Sequence, residues 1–195
     1  MQRLSIMGAM TDTRGAIPYS QQAVLRNGTP VLIRVALPED RDKVVAAFNK
    51  LEPDSIYTRF FGMRKQLSSA ELDRITASDF VNFVSLAAIV GSGPDEIVIG
   101  GASYVALPSP DGAHVAEVAF TIEEDYQGQG LASKLLALLV VIARQQGMAR
   151  FEADVLAGNA AMMSVFERSG LPLNKARDGS VTHVVMDLRQ DGDQR

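Results

Sequence analysis

The stretch EDYQGQGLASKLLALLVV, Glu124 to Val141, decides the fold. A polar turn with two glycines, Gly128 and Gly130, leads directly into a run whose apolar residues recur at helical spacing. The pattern predicts a helix from about Gly130 to Gln146, ended by Gly147. No Ser, Thr, Asp or Asn stands at the junction, so the first N–H groups of this helix need a partner other than a capping side chain.

Those N–H groups and the helix dipole together form a site for an anion. The glycines let an anion approach the backbone closely. The turn lacks the Gly-Lys-Ser/Thr ending of a P-loop, and it lacks a GxGxxG fingerprint followed by an acidic residue. ATP, GTP and dinucleotides therefore fit this turn poorly. A flexible connection between a strand and a helix is the alternative interpretation.

Length and composition limit the other possibilities. The 195 residues favour one domain, and 47% apolar with 22% charged residues is typical of a globular protein. A net charge of −4 disfavours a nucleic-acid partner. The absence of cysteine excludes disulfides and thiolate sites, and two histidines make a metal site unexpected. We read no membrane span and no signal peptide, which predicts a cytoplasmic protein.

The rest of the chain alternates between strand and helix patterns. Strand-like runs are separated by turn signals, and helical runs carry starts and stops of their own. Their order predicts a mixed, mostly antiparallel α+β sheet of about six to seven strands flanked by helices. We expect a single domain over residues 29–190, between a flexible lead-in at 1–28 and a flexible tail at 191–195. The predicted strands are 30–37, 80–91, 96–107, 114–122, 149–157 and 181–188, and the predicted helices are 38–51, 53–62, 68–79, 130–146 and 159–170.

Two motifs in this order resemble the GNAT superfamily of acyl-CoA N-acyltransferases. QGQGLA, Gln127 to Ala132, matches the family's Gln/Arg-x-x-Gly-x-Gly/Ala motif, and AFTIEEDYQ before it resembles the family's fourth strand and turn. GNAAMMSVFERSGL, Gly158 to Leu171, resembles the family's helix that begins with Asn. The resemblance covers about residues 30–190. It implies a GNAT-like fold with acetyl-CoA as co-substrate and no metal.

The resemblance also implies which residues bind the acetyl-CoA. Backbone atoms of Phe120, Thr121 and Ile122 are expected to pair with the pantetheine arm as if it were another strand, and Asn159 is expected to contact that arm. Asn159 is also the natural N-cap of its helix. The pyrophosphate is expected to lie against the backbone N–H groups of the turn: Gln127, Gly128, Gln129, Gly130, Leu131 and Ala132.

Acylation of an amine requires a base, because an alkylamine is protonated at neutral pH. Glu117 is the candidate base. Alternation along VAEVAFTI places it on one strand face with Ala119 and Thr121, where partial burial would raise its pKa. The similar stretch AEVAF, with Glu as proposed base, occurs in bacterial protein-lysine acetyltransferases of this superfamily. The alternative is a solvated strand residue.

One position departs from the family pattern. Many members carry a tyrosine on the Asn-led helix that protonates the departing thiolate, and the matching residue is Phe166. Phe166, with Met162 and Met163, is expected to form a core stripe. Tyr126, His183 or water remain as proton donors, although a lone strand histidine such as His183 is more often structural.

The acceptor is suggested by LEPDSIYTRFFG, Leu51 to Gly62, which resembles a stretch of the bacterial protein-lysine acetyltransferases that act on acyl-CoA synthetases. The alternative is that its aromatic residues anchor a helix to the core. Three functions stay open: a protein-lysine N-acetyltransferase, a small-amine or amino-acid N-acetyltransferase, and a non-catalytic acyl-CoA-binding module. We expect no nucleic-acid or membrane partner, and either a monomer or a homodimer.

Overall fold

The computed structural model describes residues 19–60, 64–110 and 112–189. These form one eight-stranded sheet with strand order β1-β2-β3-β4-β5-β6-β8-β7. In chain order the elements are β1 Gln21–Val24, β2 Pro30–Val35, α1 Arg41–Lys50, α2 Pro53–Phe60, α3 Ser69–Ile75, β3 Phe83–Val90, β4 Ile97–Leu107, β5 Val115–Ile122, α4 Leu131–Gln145, β6 Arg150–Leu156, α5 Ala160–Glu167, β7 Leu173–Asp178 and β8 Val181–Asp187.

The predicted class is confirmed, but the predicted number of strands is too low. All neighbouring strands pair antiparallel except β5 and β6, which are parallel. The two additional strands, β1 and β7, are the two edges of the sheet. β1 lies within residues 1–28, the predicted flexible lead-in, so the sheet begins earlier than expected. Residues 1–18 and the predicted tail lie outside the described residues.

Both missed strands lie at an edge of the sheet and lack an apolar alternation in sequence, and β1 is only four residues long. Five of the six residues of β7 are exposed, so no apolar alternation marks that strand. Each missed strand nevertheless ends near a hairpin signal, Asn27-Gly28 after β1 and Asp178-Gly179 after β7. Gly28 and Gly179 both have positive φ, at 88° and 57°. The two dipeptides are therefore the usable sequence signals for these strands.

Helix α4 supplies the centre of the core on one face of the sheet. Its predicted apolar stripe of Leu131, Leu135, Leu138, Leu139 and Ile142 is buried, and it packs in one cluster with residues of β2 to β6 and β8. Helix α5 adds Phe166 to that cluster. None of the helices in the described ranges is long and apolar enough to cross a bilayer.

Helices α1, α2 and α3 cover the opposite face. The predicted serine cap of α3 is confirmed, since Ser68 Oγ accepts the N–H of Glu71 and the Glu71 carboxylate accepts the N–H of Ser68. A short 3-10 turn, Pro38–Asp40, precedes α1. The predicted stop of α2 at Gly62 lies outside the described residues.

Candidate active site

A gap opens in the middle of the sheet. β5 pairs with β4 from Val115 to Ile122, but it pairs with β6 only from Val115 to Glu117. Beyond Glu117, no strand among the described residues pairs with the β6 side of β5. Because β5 and β6 are parallel, the starts of α4 and α5, which follow them, lie at the same end of the gap. An extended ligand with amide groups can bind such an edge as an added strand.

The alternation of backbone groups decides which residues of β5 face the gap. The N–H of Glu123 donates to Ile99 O of β4 at 3.0 Å, so Glu123 and every second residue before it direct their backbone polar groups toward β4. Thr121 therefore faces β4, which corrects its predicted pairing with the ligand. Phe120 and Val118 face the gap. Ile122 also faces it, but its carbonyl already accepts Gln127 Nε2 at 3.0 Å.

The predicted uncapped start of α4 is confirmed. Gly130 is the N-cap residue, with φ 85° and no side-chain hydrogen bond to the helix. Gly128 also has positive φ, at 70°, a conformation that other residues adopt at a cost. Within the described ranges, the N–H groups from Gly128 to Ala132 have no hydrogen-bond acceptor. Unpaired N–H groups at the positive end of a helix dipole are the kind of donors that bind anions.

Gln127 does not belong to that set of donors. Its N–H donates to Glu124 O at 3.0 Å and closes the 3-10 turn Glu124–Tyr126, so the predicted anion site narrows to Gly128–Ala132. The Gln127 side chain instead contacts Ile122 O and Ser55 Oγ, the latter at 3.3 Å. Gln127 thus connects the turn to the end of β5 and to α2.

Arg26, in the connection between β1 and β2, is a residue of this site that the sequence did not reveal. Its N–H donates to Gln129 O at 3.1 Å and its Nη1 donates to Gly128 O at 3.0 Å. In a trans peptide the N–H points opposite to the C=O. By holding these two carbonyl groups on its own side, Arg26 directs the N–H groups of Gln129 and Gly130 to the other side, toward the anion site.

Helix α5 follows β6 and borders the gap on the β6 side. Asn159 is its N-cap, as predicted, with Oδ1 accepting the N–H of Met162 at 3.0 Å. Phe166 is 1% exposed, as expected for a core residue, and its ring lies edge-on to that of Phe120 at 6.0 Å. This contact supports Phe120, one of the residues of β5 that face the gap. Phe166, which stands where many family members have a proton-donating tyrosine, is therefore a packed core residue.

Glu117 is the last residue of β5 that pairs with β6. Its side chain is exposed rather than partly buried as predicted, because the gap begins beside it. Arg59 of α2 interacts electrostatically with Glu117. Burial lowers the pKa of the Arg59 guanidinium, and the charge of Glu117 opposes that change. Glu117 thus stands at the mouth of the gap, in electrostatic contact with α2 and open to solvent.

A second group of polar side chains extends from Glu117 across the same face. Glu152 of β6 is its register partner and accepts Arg150 Nε at 3.0 Å. The other Glu152 oxygen lies 3.6 Å from His183 Nε2, and His183 Nδ1 lies 2.8 Å from Asp154 Oδ1. His183 thus lies in β8, as predicted. The alternation of Arg150, Glu152 and Asp154 with apolar residues is the sequence signal that this strand has a charged face.

Tyr126, another side chain considered as a proton donor, is partly buried against the main core cluster. Within the ranges that the structure describes, no three His, Cys, Asp or Glu side chains are grouped so that they would hold a metal ion.

Comparison with known proteins places this geometry in a family. Residues 54–171 match the model described as the acetyltransferase (GNAT) family. Acetyltransferase Pat of Mycolicibacterium smegmatis is 34% identical over 147 residues, which cover 75% of this chain and 42% of that protein. Acetyltransferase PA5475 of Pseudomonas aeruginosa is 33% identical over 138 residues, covering 71% of this chain and 73% of that protein.

A solved structure agrees with these matches. The crystal structure of the GNAT domain of S. lividans PAT superposes with a TM-score of 0.77 at 32% identity. The match covers 87% of this chain and 97% of that domain. The chain thus spans less than half of the mycobacterial relative but nearly all of the isolated S. lividans domain.

Proposed function

Because the chain belongs to the acetyltransferase (GNAT) family, we propose that it moves an acetyl group from acetyl-CoA to a primary amine. A protein lysine side chain is the favoured acceptor. The observation that carries the proposal is the convergence of three features on one gap: the uncapped start of α4, the unpaired edge of β5, and the Glu117 carboxylate.

The residues present fit acetyl-CoA. The N–H groups of Gly128 to Ala132 would hold its pyrophosphate, since they are donors without acceptors beside the positive end of a helix dipole. Backbone groups of Val118 and Phe120 would hold the pantetheine arm, and Asn159 lies at the same end of the gap. When bound there, acetyl-CoA supplies an activated thioester carbonyl.

Glu117 provides the proton transfer. A lysine amine with a pKa of about 10.4 is protonated at pH 7, so Glu117 must take a proton, directly or through water, before the nitrogen can attack. The new C–N bond forms as the C–S bond breaks and the thiolate leaves. A thiol titrates at about pH 8.5, so water suffices to protonate it, and the loss of a tyrosine at Phe166 is tolerated.

Two observations support a cationic acceptor. Glu117, Glu152 and Asp154 place three carboxylates along one face at the gap, and opposite charge attracts an ammonium group. Leu51 to Gly62 resembles the corresponding stretch of protein-lysine acetyltransferases, and Tyr57 of that stretch is 47% exposed on α2.

A small amine is the second candidate acceptor, because a cavity of about 300 Å³ lies between helices α1–α3 and the sheet.

Thiol release from acetyl-CoA with a panel of acceptors tests the function. We expect release with an acyl-CoA synthetase that exposes a reactive lysine, and weak release with free amino acids and small amines. The opposite order favours the small-amine function. Tight binding of CoA without release across the whole panel contradicts catalysis and leaves an acyl-CoA-binding module.

Substitution of Arg26 by Met is expected to raise KM for acetyl-CoA about tenfold with little change in kcat. The variant loses the Nη1 contact to Gly128 O, and a hydrogen bond from a charged group is worth roughly 1.5–3 kcal/mol. S-acetyl-pantetheine, which has no pyrophosphate, is the control donor, and its KM should not change. An equal rise for both donors would mean that Arg26 only stabilises the fold.

A further inference from the structure

The cavity between the sheet and helices α1–α3 has a floor of unusually small side chains. Ser85, Ala87, Gly101, Ser103 and Ala119 share this face on three neighbouring strands. Phe48 of α1, Leu51 directly after α1 and Leu67 before α3 cover it without filling it, which leaves about 300 Å³. Protein interiors are normally close-packed, so a space of this size beside a reaction centre is suited to a ligand.

One carboxylate in the wall of this cavity lacks part of its hydrogen bonding. Glu123 is 9% exposed, and its Oε1 lies 3.6 Å from Lys50 Nζ. Its Oε2 is buried and has no hydrogen-bond partner among the residues that the structure describes. A buried carboxylate oxygen without a donor is costly, so this atom requires a donor that the described protein groups do not supply.

The other charged groups of the cavity are already engaged. Glu71 accepts hydrogen bonds from Ser68 and Arg64, and the Arg74 guanidinium lies over the Phe83 ring at 4.9 Å. Arg59 is in electrostatic contact with Glu117, at the opposite end of the cavity from Glu123. Glu123 Oε2 is therefore the atom to which a ligand in this cavity would bind.

The cavity connects the reaction centre with Glu123. Val105, the β4 partner of Glu117, and Ala119 line its near end, and Thr121 and Glu123 line the far end. A strand rises about 3.3 Å per residue, so Ala119 and Glu123 are separated by roughly 13 Å. A molecule that reaches from the gap to Glu123 must have an extended, largely apolar stem.

We propose that this cavity binds the stem of the acceptor, and that Glu123 Oε2 accepts a hydrogen bond from a second ammonium group, separate from the amine that is acetylated at Glu117. The proposal rests on the proposed amine acetylation. Methylene groups match the apolar walls, and an ammonium is a donor without acceptors that matches an ionised carboxylate. The same chemistry is present in a free diamine and in a segment with two lysines.

The test compares 1,8-diaminooctane with octylamine, which has the same eight-carbon stem but lacks the second amine. Wild-type kcat/KM should be at least tenfold higher for the diamine. Glu123→Gln should remove that preference and leave octylamine turnover and KM for acetyl-CoA unchanged. Asp42→Asn, the same change of charge on an exposed residue of α1, is the matched control and should keep the preference. Peptides with one or two lysines, assayed in parallel, show whether the source is a free diamine or a protein segment.

Lys50→Met, at an exposed side chain, is expected to change ligand affinity in the direction opposite to Glu123→Gln. It removes the ammonium group that competes for Glu123, so 1,8-diaminooctane should bind several-fold more tightly. Calorimetric titration of 1,8-diaminooctane into wild type, Glu123→Gln and Lys50→Met gives this result even if no amine is acetylated, in which case only the proposed function fails. Equal affinity for the diamine in all three proteins overturns the proposed role of Glu123.

Discussion

Replacement of Glu117 by Gln is expected to lower kcat by about 100-fold or more while the Kd for acetyl-CoA stays nearly constant. The amide keeps the size of the side chain but cannot take a proton from the acceptor ammonium, and a positioned base contributes roughly 10²–10⁴ in rate. Glu117 lies at the mouth of the gap and outside the turn that would bind pyrophosphate, so donor binding should not depend on it.

Thiol release at saturating acetyl-CoA and acceptor measures kcat for this variant, and calorimetry measures Kd for the donor. Glu152→Gln is the comparison, because Glu152 is the register partner of Glu117 but is held by Arg150. A much smaller loss in Glu152→Gln indicates that the position of Glu117 matters, and not merely the number of carboxylates. Unchanged kcat in Glu117→Gln removes this residue from the mechanism.

The parts of the fold with strong periodicity could be predicted from sequence. The stripe of α4, its missing cap, the serine cap of α3 and the Asn159 cap of α5 all follow from local residue patterns. The edge strands β1 and β7 are not predicted, because β1 is only four residues long and exposes the apolar Val24, while five of the six residues of β7 are exposed. Local patterns thus identify elements that bury a face, and they fail for elements that remain at the edge.

The site was harder to predict because it depends on direction and register. That Thr121 faces β4, and that the Gln127 N–H is used by Glu124, follows from hydrogen bonds that sequence spacing does not fix. Arg26 reaches a turn 102 residues further along the chain, and the pairing of Glu117 with Glu152 needs the parallel register of β5 and β6. Motif comparison located the binding segments but not the individual atoms that take part.

Replacement of Gly130 by Asp is expected to weaken acetyl-CoA binding by at least about 100-fold in a protein that still folds. A side chain has room, since a Cβ added at Gly130 would have no neighbour nearer than Arg26 Nε at 3.8 Å. The positive φ costs about 1–2 kcal/mol, and the carboxylate regains part of this as an N-cap of α4. The carboxylate then occupies the donors of the anion site and repels a pyrophosphate.

Gly130→Asn separates charge from shape in this experiment. Asparagine has the same size, tolerates positive φ comparably and can cap the helix, but it does not repel an anion. We expect its loss of acetyl-CoA affinity to be clearly smaller than that of Gly130→Asp, with the difference shrinking as ionic strength rises. Binding of S-acetyl-pantetheine should be similar in both variants, because it has no pyrophosphate. If folded Gly130→Asp keeps its affinity for acetyl-CoA, the start of α4 is not the pyrophosphate site, and the ligand must be held elsewhere along the gap.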